Sequence, residues 1–283
     1  MRAFLSFALS FAISFCLTSF GFLAVIRVTI LNPSYIKFHV ERTSYAQNVA
    51  DEITNHFISY GMSSGFSAEF MSGIIDGRQI KNDIFCEIDN LYSKENVGAT
   101  VEGFREITYE KLTEDAKNRG IKITRETEQN LNYLADLCKE TYTEYVGFGW
   151  LSETSRVLIP AKSIVNSALI ISGALTMLLI ACIFIIQSNR TRRYRYLIYS
   201  AAGSVIVFTA GIITLMVTGF INRIPVGDEG LYKLVVSCAN GVLVFISLFA
   251  IVIAAAAGII IALYHRRMKK RLRGTEEDNL SRR

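Results

Sequence analysis

Prolines, histidines and charged residues are scarce in this chain of 283 residues, which has three prolines, three histidines and a charged fraction of 19%. The Walker and GxGxxG nucleotide-binding patterns, the zinc-binding HExxH pattern and the CxxC pair are all absent. The histidines, His39, His56 and His265, lack the spacing of metal ligands. We therefore expect no cofactor, no metal and no enzymatic activity. The high apolar content also excludes a disordered chain.

Ionisable residues are missing from four long apolar stretches, at 3–26, 164–186, 197–221 and 234–264. A hydrocarbon core about 30 Å thick is crossed by roughly 20 apolar residues in a helix, and backbone groups in lipid pair within their own segment. The sequence therefore predicts four transmembrane helices and weighs against a proton-coupled pump. The first stretch exceeds the apolar run of a signal peptide, which favours a retained anchor over a cleaved leader.

Charge divides the chain into an acidic part and a basic part. Residues 32–160 carry a net charge of −7, whereas the remainder carries +12. Four arginines lie in the loop 187–196, and six lysines and arginines lie at 266–273, shortly after Tyr264. The positive-inside rule therefore places the loop, the tail and both termini in the cytoplasm of a multi-pass protein in the cell membrane. The predicted partner of the basic clusters is the lipid bilayer, and no nucleic acid is expected.

The predicted fold class is all-α: a four-helix transmembrane protein with an all-helical extracytoplasmic domain between the first and second spans. Caps and glycines predict helices at 35–60, 68–75, 78–92, 101–119 and 126–146. Apolar residues recur at helical spacing, as at Ile80, Ile84 and Ile88. The predicted divisions are the first span at 1–31, the helical domain at 32–162, three spans at 163–264 and a basic tail at 265–283.

Two features of the predicted domain leave alternatives open. Cys86 and Cys138 are its only cysteines, and they form either a disulfide, which an oxidising compartment would permit, or two separate buried thiols. Asp83, Glu87 and Asp89 form an acidic run on one helix. We expect a solvated helix face there, with cation binding as the alternative. Trp150, the single tryptophan, fits a core or loop position or a dip into the outer headgroups.

Small residues form stripes along the first and fourth spans. In lipid, close approach of small faces and hydroxyl hydrogen bonds drive the association of helices. Each stripe is therefore a candidate helix-packing face, and the hydroxyl stripe is alternatively the lining of a polar pathway. The two stripes, each with a spacing of four residues, consist of Ser6, Ser10, Ser14 and Thr18, and of Ala250, Ala254, Gly258 and Ala262.

These features favour a non-enzymatic membrane protein whose extracytoplasmic helical domain senses or binds a partner or ligand. The predicted cytoplasmic part is too small for a signalling domain, so such a protein would act through a membrane partner or as a homo-oligomer. An oligomeric channel or transporter subunit is the alternative hypothesis, and an enzyme with an external active site is the weakest. The lysine-, isoleucine- and asparagine-rich composition suggests a bacterial source.

Overall fold

The computed structural model describes residues 2–93, 101–147, 152–187, 189–223 and 228–281. These ranges form ten α-helices and a short 3-10 helix at Phe220–Arg223, and they contain no strand. The predicted all-α class is therefore confirmed. The α-helices are α1 (Arg2–Val28), α2 (Pro33–Arg42), α3 (Tyr45–Ser63), α4 (Ala68–Ser72), α5 (Gly77–Tyr92), α6 (Val101–Asn118), α7 (Arg125–Val146), α8 (Ser152–Ile186), α9 (Arg190–Thr218) and α10 (Glu229–Ser281).

Four of these helices are long and apolar enough to cross a membrane, as the sequence predicts. The qualifying segments are Ala3–Val28 in α1, Arg156–Ile186 in α8, Thr191–Thr218 in α9 and Glu229–Lys269 in α10. The helices run beyond the apolar stretches themselves. Hydropathy marks only the part of a helix that suits lipid, whereas the backbone hydrogen bonds continue past it. The extension is greatest for α10.

The chain divides into two compact units. The span unit comprises Met1–Thr29, Ser163–Pro225 and Ala239–Arg283, and the head unit comprises Ile30–Lys162 and Val226–Cys238. The sequence predicts the second domain at 32–162. The head unit contains that range and adds the first turns of α10, a segment that its sequence alone assigns to a loop and to the fourth span.

Side-chain caps begin several helices of the head unit where the sequence predicts them. Asn32 accepts a hydrogen bond from the Ser34 amide, and Pro33 occupies the first position of α2, where its missing N–H is not needed. Asp76 caps α5 and Thr124 caps α7 in the same way. These local hydrogen bonds explain why the starts of the helices could be placed from sequence.

The single helix predicted at 35–60 is wrong, because the structure breaks it into α2 and α3. The Thr43 amide and hydroxyl both donate to the His39 carbonyl, and Ser44 takes a left-handed conformation with φ of 53°. A left-handed residue other than glycine is uncommon, and it redirects the chain. Apolar residues are spaced helically on both sides of the break, so periodicity did not reveal it.

A continuous apolar core holds the head unit together. The Phe57 ring of α3 lies against Phe104 of α6, with centroids 6.1 Å apart, and Phe104 stacks on Tyr142 of α7 at 4.1 Å. Helix α5 contributes Ile80, Ile84 and Ile88, all buried as their spacing predicts. Burial of a side chain of this size stabilises a fold by roughly 1.5–3 kcal/mol. Leu234 of α10 is part of the same core.

Candidate functional site

Cys86 and Cys138, for which the sequence leaves either a disulfide or two separate thiols open, are free thiols in the structure. Cys138 lies on the core face of α7, fully buried, and burial raises its pKa to about 12. Cys86 lies on α5 and is half-buried. The structure therefore has the arrangement of two separate thiols, which is one of the two alternatives that the sequence leaves open.

The hydroxyl stripe of α1 faces α9. The Ser10 hydroxyl donates to the Tyr196 carbonyl at 2.8 Å, and the Ser204 hydroxyl donates to the Ser14 carbonyl at 3.0 Å. Ser6 accepts a hydrogen bond from the Gln187 amide at 2.6 Å. The remaining member, Thr18, bonds to the Ser14 carbonyl within its own helix. Ser6 and Ser10 are buried, so this face supplies helix contacts within the span unit.

The small-residue stripe of α10 has a different environment. Only Ala250 is buried, whereas Ala254, Gly258 and Ala262 are exposed on the chain. A Cβ added at Gly258 would meet no atom within 4 Å. Within the chain α10 packs instead through a neighbouring face that includes Ile253. Three of the four members of the stripe are therefore exposed within the described part of the chain.

One other sequence pattern has no catalytic site around it among the described residues. The pentapeptide at 61–65 fits the GxSxG pattern of serine hydrolases, which needs a turn between a strand and a helix. Ser63 instead ends α3, and its hydroxyl donates to the Ser59 carbonyl at 3.1 Å. The described residues contain no strand that could form such a turn. Trp150 lies outside the described residues.

The acidic run on α5 is only partly solvated. The expectation of a solvated face is wrong for Asp83, which is buried and accepts a hydrogen bond from the Tyr142 hydroxyl. Burial, followed by the Asp83 carboxyl, raises the pKa of Tyr142. Asp89 forms an ion pair with Lys37. No group of three His, Cys, Asp or Glu side chains among the described residues is arranged to hold a metal ion.

A cluster of polar and aromatic side chains lies where α3 and α7 adjoin, and we call it the polar cluster. Glu52, His56 and Tyr60 follow one another at intervals of four residues on α3, which places them on one face. The His56 Nε2 atom lies 3.1 Å from the Tyr145 hydroxyl. The Tyr60 and Thr141 hydroxyls are also 3.1 Å apart. No spacing pattern in the sequence connects these side chains, because they come from helices that are far apart in the chain.

Asp228 adds a second carboxylate to the polar cluster from the start of α10. Its side chain accepts hydrogen bonds from the Gly230 and Leu231 amides at 2.6 and 3.1 Å, and so caps α10. Burial raises the pKa of Glu52, and the negative charge of Asp228 raises it further. The pKa of Tyr45 is also raised, by burial first and then by Asp228. The carboxyl of Glu52 and the phenols of Tyr45 and Tyr145 are therefore close enough to Asp228 for its charge to act on them.

A second contact joins α2 to α10 within the head unit. His39 is buried, and its Nδ1 atom lies 2.8 Å from the Ser237 hydroxyl. The Tyr35 hydroxyl donates to the Cys238 carbonyl at 2.5 Å. Burial lowers the pKa of His39, and the nearby Arg42 charge lowers it further. The start of α10 is therefore held by α2 as well as by the apolar core.

The polar cluster can bind a ligand by charge and hydrogen bonds, or exchange a proton. Its acceptors suit a cationic or hydrogen-bond-donating group, and the raised pKa of Glu52 brings this carboxyl closer to neutral pH. Comparison with protein-family models, with curated proteins and with solved structures finds no match to this chain. The function therefore has to be inferred from the residues of the polar cluster and their surroundings.

Proposed function

We propose that this protein is a non-enzymatic multi-pass membrane protein whose head unit senses or binds a partner or ligand outside the cytoplasm. The signal would pass to a membrane partner or to a second copy of the chain. The proposal is supported above all by the position of the polar cluster around Asp228, which caps α10. Helix α10 begins in the head unit and continues as the apolar segment of the fourth candidate span.

A change in charge at the polar cluster has a direct physical effect on the start of α10. Neutralising Asp228, or placing a cation beside it and Glu52, would alter the charge at the helix N-terminus, where a carboxylate stabilises by about 0.3–1 kcal/mol. The His39 and Ser237 contact lies two turns further along the same helix. A change in the first turns of α10 would therefore carry the signal along this helix towards the span.

The orientation is proposed from charge. The head unit is acidic, whereas the basic loop and tail follow the second and fourth spans. Under the positive-inside rule these basic segments face the cytoplasm, which leaves the head unit on the opposite side. The alternative of a channel subunit gains no support from the stripe of α1, because Ser6, Ser10 and Ser14 are engaged in contacts with α9 and its preceding loop.

The orientation can be tested with an impermeant thiol reagent on intact cells. In a background without native cysteines, Tyr133→Cys, at an exposed position of α7, should be labelled before the cells are opened. Arg266→Cys, in the basic segment of α10, should be labelled only afterwards. The reverse order of labelling would overturn the proposed orientation.

The sensing role can be tested by cross-linking in intact cells, with a photoreactive residue at Tyr133. We expect a discrete adduct with another membrane component or a second copy. The adduct should be lost in the double variant Glu52→Gln and His56→Gln, and retained in the matched control Glu140→Gln, which removes an exposed charge from α7. If gently solubilised membranes yield neither an adduct nor an oligomer, the proposal fails.

A further inference from the structure

A basic cavity lies in the span unit, where the beginning of α9 meets the beginning of α1. The cavity has a volume of about 300 Å³. Four of its lining side chains come from one face of α9, because their positions differ by three, four and seven residues. Among the described side chains of α1, the cavity is lined by the methyl group of Ala3. The lining residues are Ala3, Arg192, Arg195, Tyr196 and Tyr199.

The positive charge of this cavity has no counterion nearby in the sequence. Residues 1–29, 163–225 and 239–275 contain no aspartate or glutamate. The ion pairs found among the described residues all lie in the head unit. No described carboxylate of the span unit therefore neutralises the guanidinium groups, and an anion from outside the chain would be a suitable partner for them.

The neighbouring arginines differ in the number of contacts that their guanidinium groups make within the chain. Arg193 donates to the Gln187 carbonyl, and its guanidinium lies over the Phe184 ring at 5.4 Å. Arg195 donates to the Tyr199 hydroxyl at 3.3 Å, which leaves most of its N–H groups available. The Arg192 guanidinium has no hydrogen-bond or ion-pair partner among the described residues, and it is exposed. Arg193 therefore has a structural role, whereas Arg192 and Arg195 are available to a ligand.

We propose that this cavity binds the phosphate of an anionic phospholipid headgroup. Guanidinium forks match the paired oxygens of a phosphate, and tyrosine hydroxyls can add hydrogen bonds. The cavity lies at the first turns of a candidate membrane span, and tyrosine favours the interface between water and lipid. Phe4 and Phe7, which follow Ala3 on α1, are exposed apolar rings that acyl chains could cover. A free phosphate ion could not use that surface.

The experiment uses the full-length chain, purified in an uncharged detergent and analysed by native mass spectrometry. Phosphatidylglycerol, phosphatidylcholine and inorganic phosphate are added separately. We expect one phosphatidylglycerol to be retained, in clear preference to phosphatidylcholine. The double variant Arg192→Gln and Arg195→Gln should bind it about tenfold more weakly, because the charge-assisted hydrogen bonds of the guanidinium groups are lost. The double lysine variant should show a partial loss, since an ammonium cannot form the fork.

The matched control is the double variant Arg266→Gln and Lys269→Gln, which removes the same charge from exposed positions of α10 and leaves the Arg267 contact with Tyr194 of α9 intact. It should bind phosphatidylglycerol within about twofold of the natural protein. Equal weakening in both glutamine variants would overturn the proposal in favour of diffuse attraction by the basic segments. Unchanged binding in the Arg192 and Arg195 variants, or displacement of the lipid by equimolar inorganic phosphate, would overturn it as well. The lysine variant keeps the test decisive if the glutamine variant fails to insert.

Discussion

The head unit and the span unit are both helical and both contain a buried apolar cluster, yet the remaining contacts between their helices differ. The head unit buries large apolar side chains such as Phe57, Ile84 and Leu134 and leaves its charges in surface ion pairs. In the span unit, serines of α1 and α9 face each other, while phenylalanines such as Phe11 and Phe15 point away from the other helices.

The difference follows from the solvent that each unit is suited to. In water, removing apolar surface from the solvent is the main force that drives helices together. A lipid chain is as apolar as leucine, so helices in a membrane associate through close packing of small residues and through hydrogen bonds. A phenylalanine should therefore contribute much more to stability in the head core than at an exposed position of the span unit. The following changes test such differences.

The largest effect is expected from Phe57→Ala in the head core. Its ring is fully buried, and its removal should destabilise the head unit by about 3–5 kcal/mol, through lost transfer energy and a residual cavity. The matched change in the span unit is Phe11→Ala, where the ring is 73% exposed. Denaturant unfolding of the full-length protein in detergent should show little change for this variant. Comparable losses in both would contradict the comparison.

The second effect concerns the close approach of α1 and α9. A Cβ added at Gly203 would lie 2.6 Å from the Ser14 hydroxyl, whereas one added at Gly211 would meet nothing within 4 Å. Gly203→Leu should therefore be about 1–3 kcal/mol less stable than Gly211→Leu, because overpacking forces the helices apart. Both substitutions replace a glycine within α9 by leucine, so the gain in helix propensity is the same for both variants. Thermal unfolding in detergent measures the difference, and equal melting temperatures would argue against this packing.

The third effect tests the buried polar pair of the head unit. Tyr142→Phe keeps the aromatic stacking on Phe104 but leaves the Asp83 carboxyl without its hydrogen bond. We expect a loss of about 1–3 kcal/mol in the free energy of unfolding. Tyr133→Phe on the same helix is the control, because its ring is exposed and its stability should hardly change. A Tyr142→Phe variant as stable as this control would show that the hydrogen bond contributes nothing.

The smallest effect is the pH dependence due to His39. Burial holds its pKa below the ordinary value of 6.5, so the unfolded chain takes up a proton at a higher pH than the folded protein does. The contribution of His39 to stability is therefore present above pH 6.5 and decreases as the pH falls towards the folded pKa. His39→Gln should flatten this part of the stability profile between pH 7 and pH 5. An unchanged slope would exclude His39 as its origin.

Sequence alone determined the helical class, the four apolar segments and most helix starts. Each depends on neighbouring residues: hydropathy over about 20 positions, or a capping side chain such as Asn32 beside the amide that it accepts from. Such signals are local, so they can be read without knowing the fold. The break at Ser44 shows the limit, since periodicity continues on both sides of it.

Tertiary structure alone decided which polar residues meet. His56 and Tyr145 are 89 positions apart, and His39 and Ser237 are 198 positions apart, so no spacing pattern connects them. The same holds for Asp83, whose place in a charged run suggested solvent until Tyr142 proved to cover it. Local hydrogen bonds and hydropathy depend on consecutive residues. Contacts between distant residues, such as those of the polar cluster, form only when the helices pack against one another.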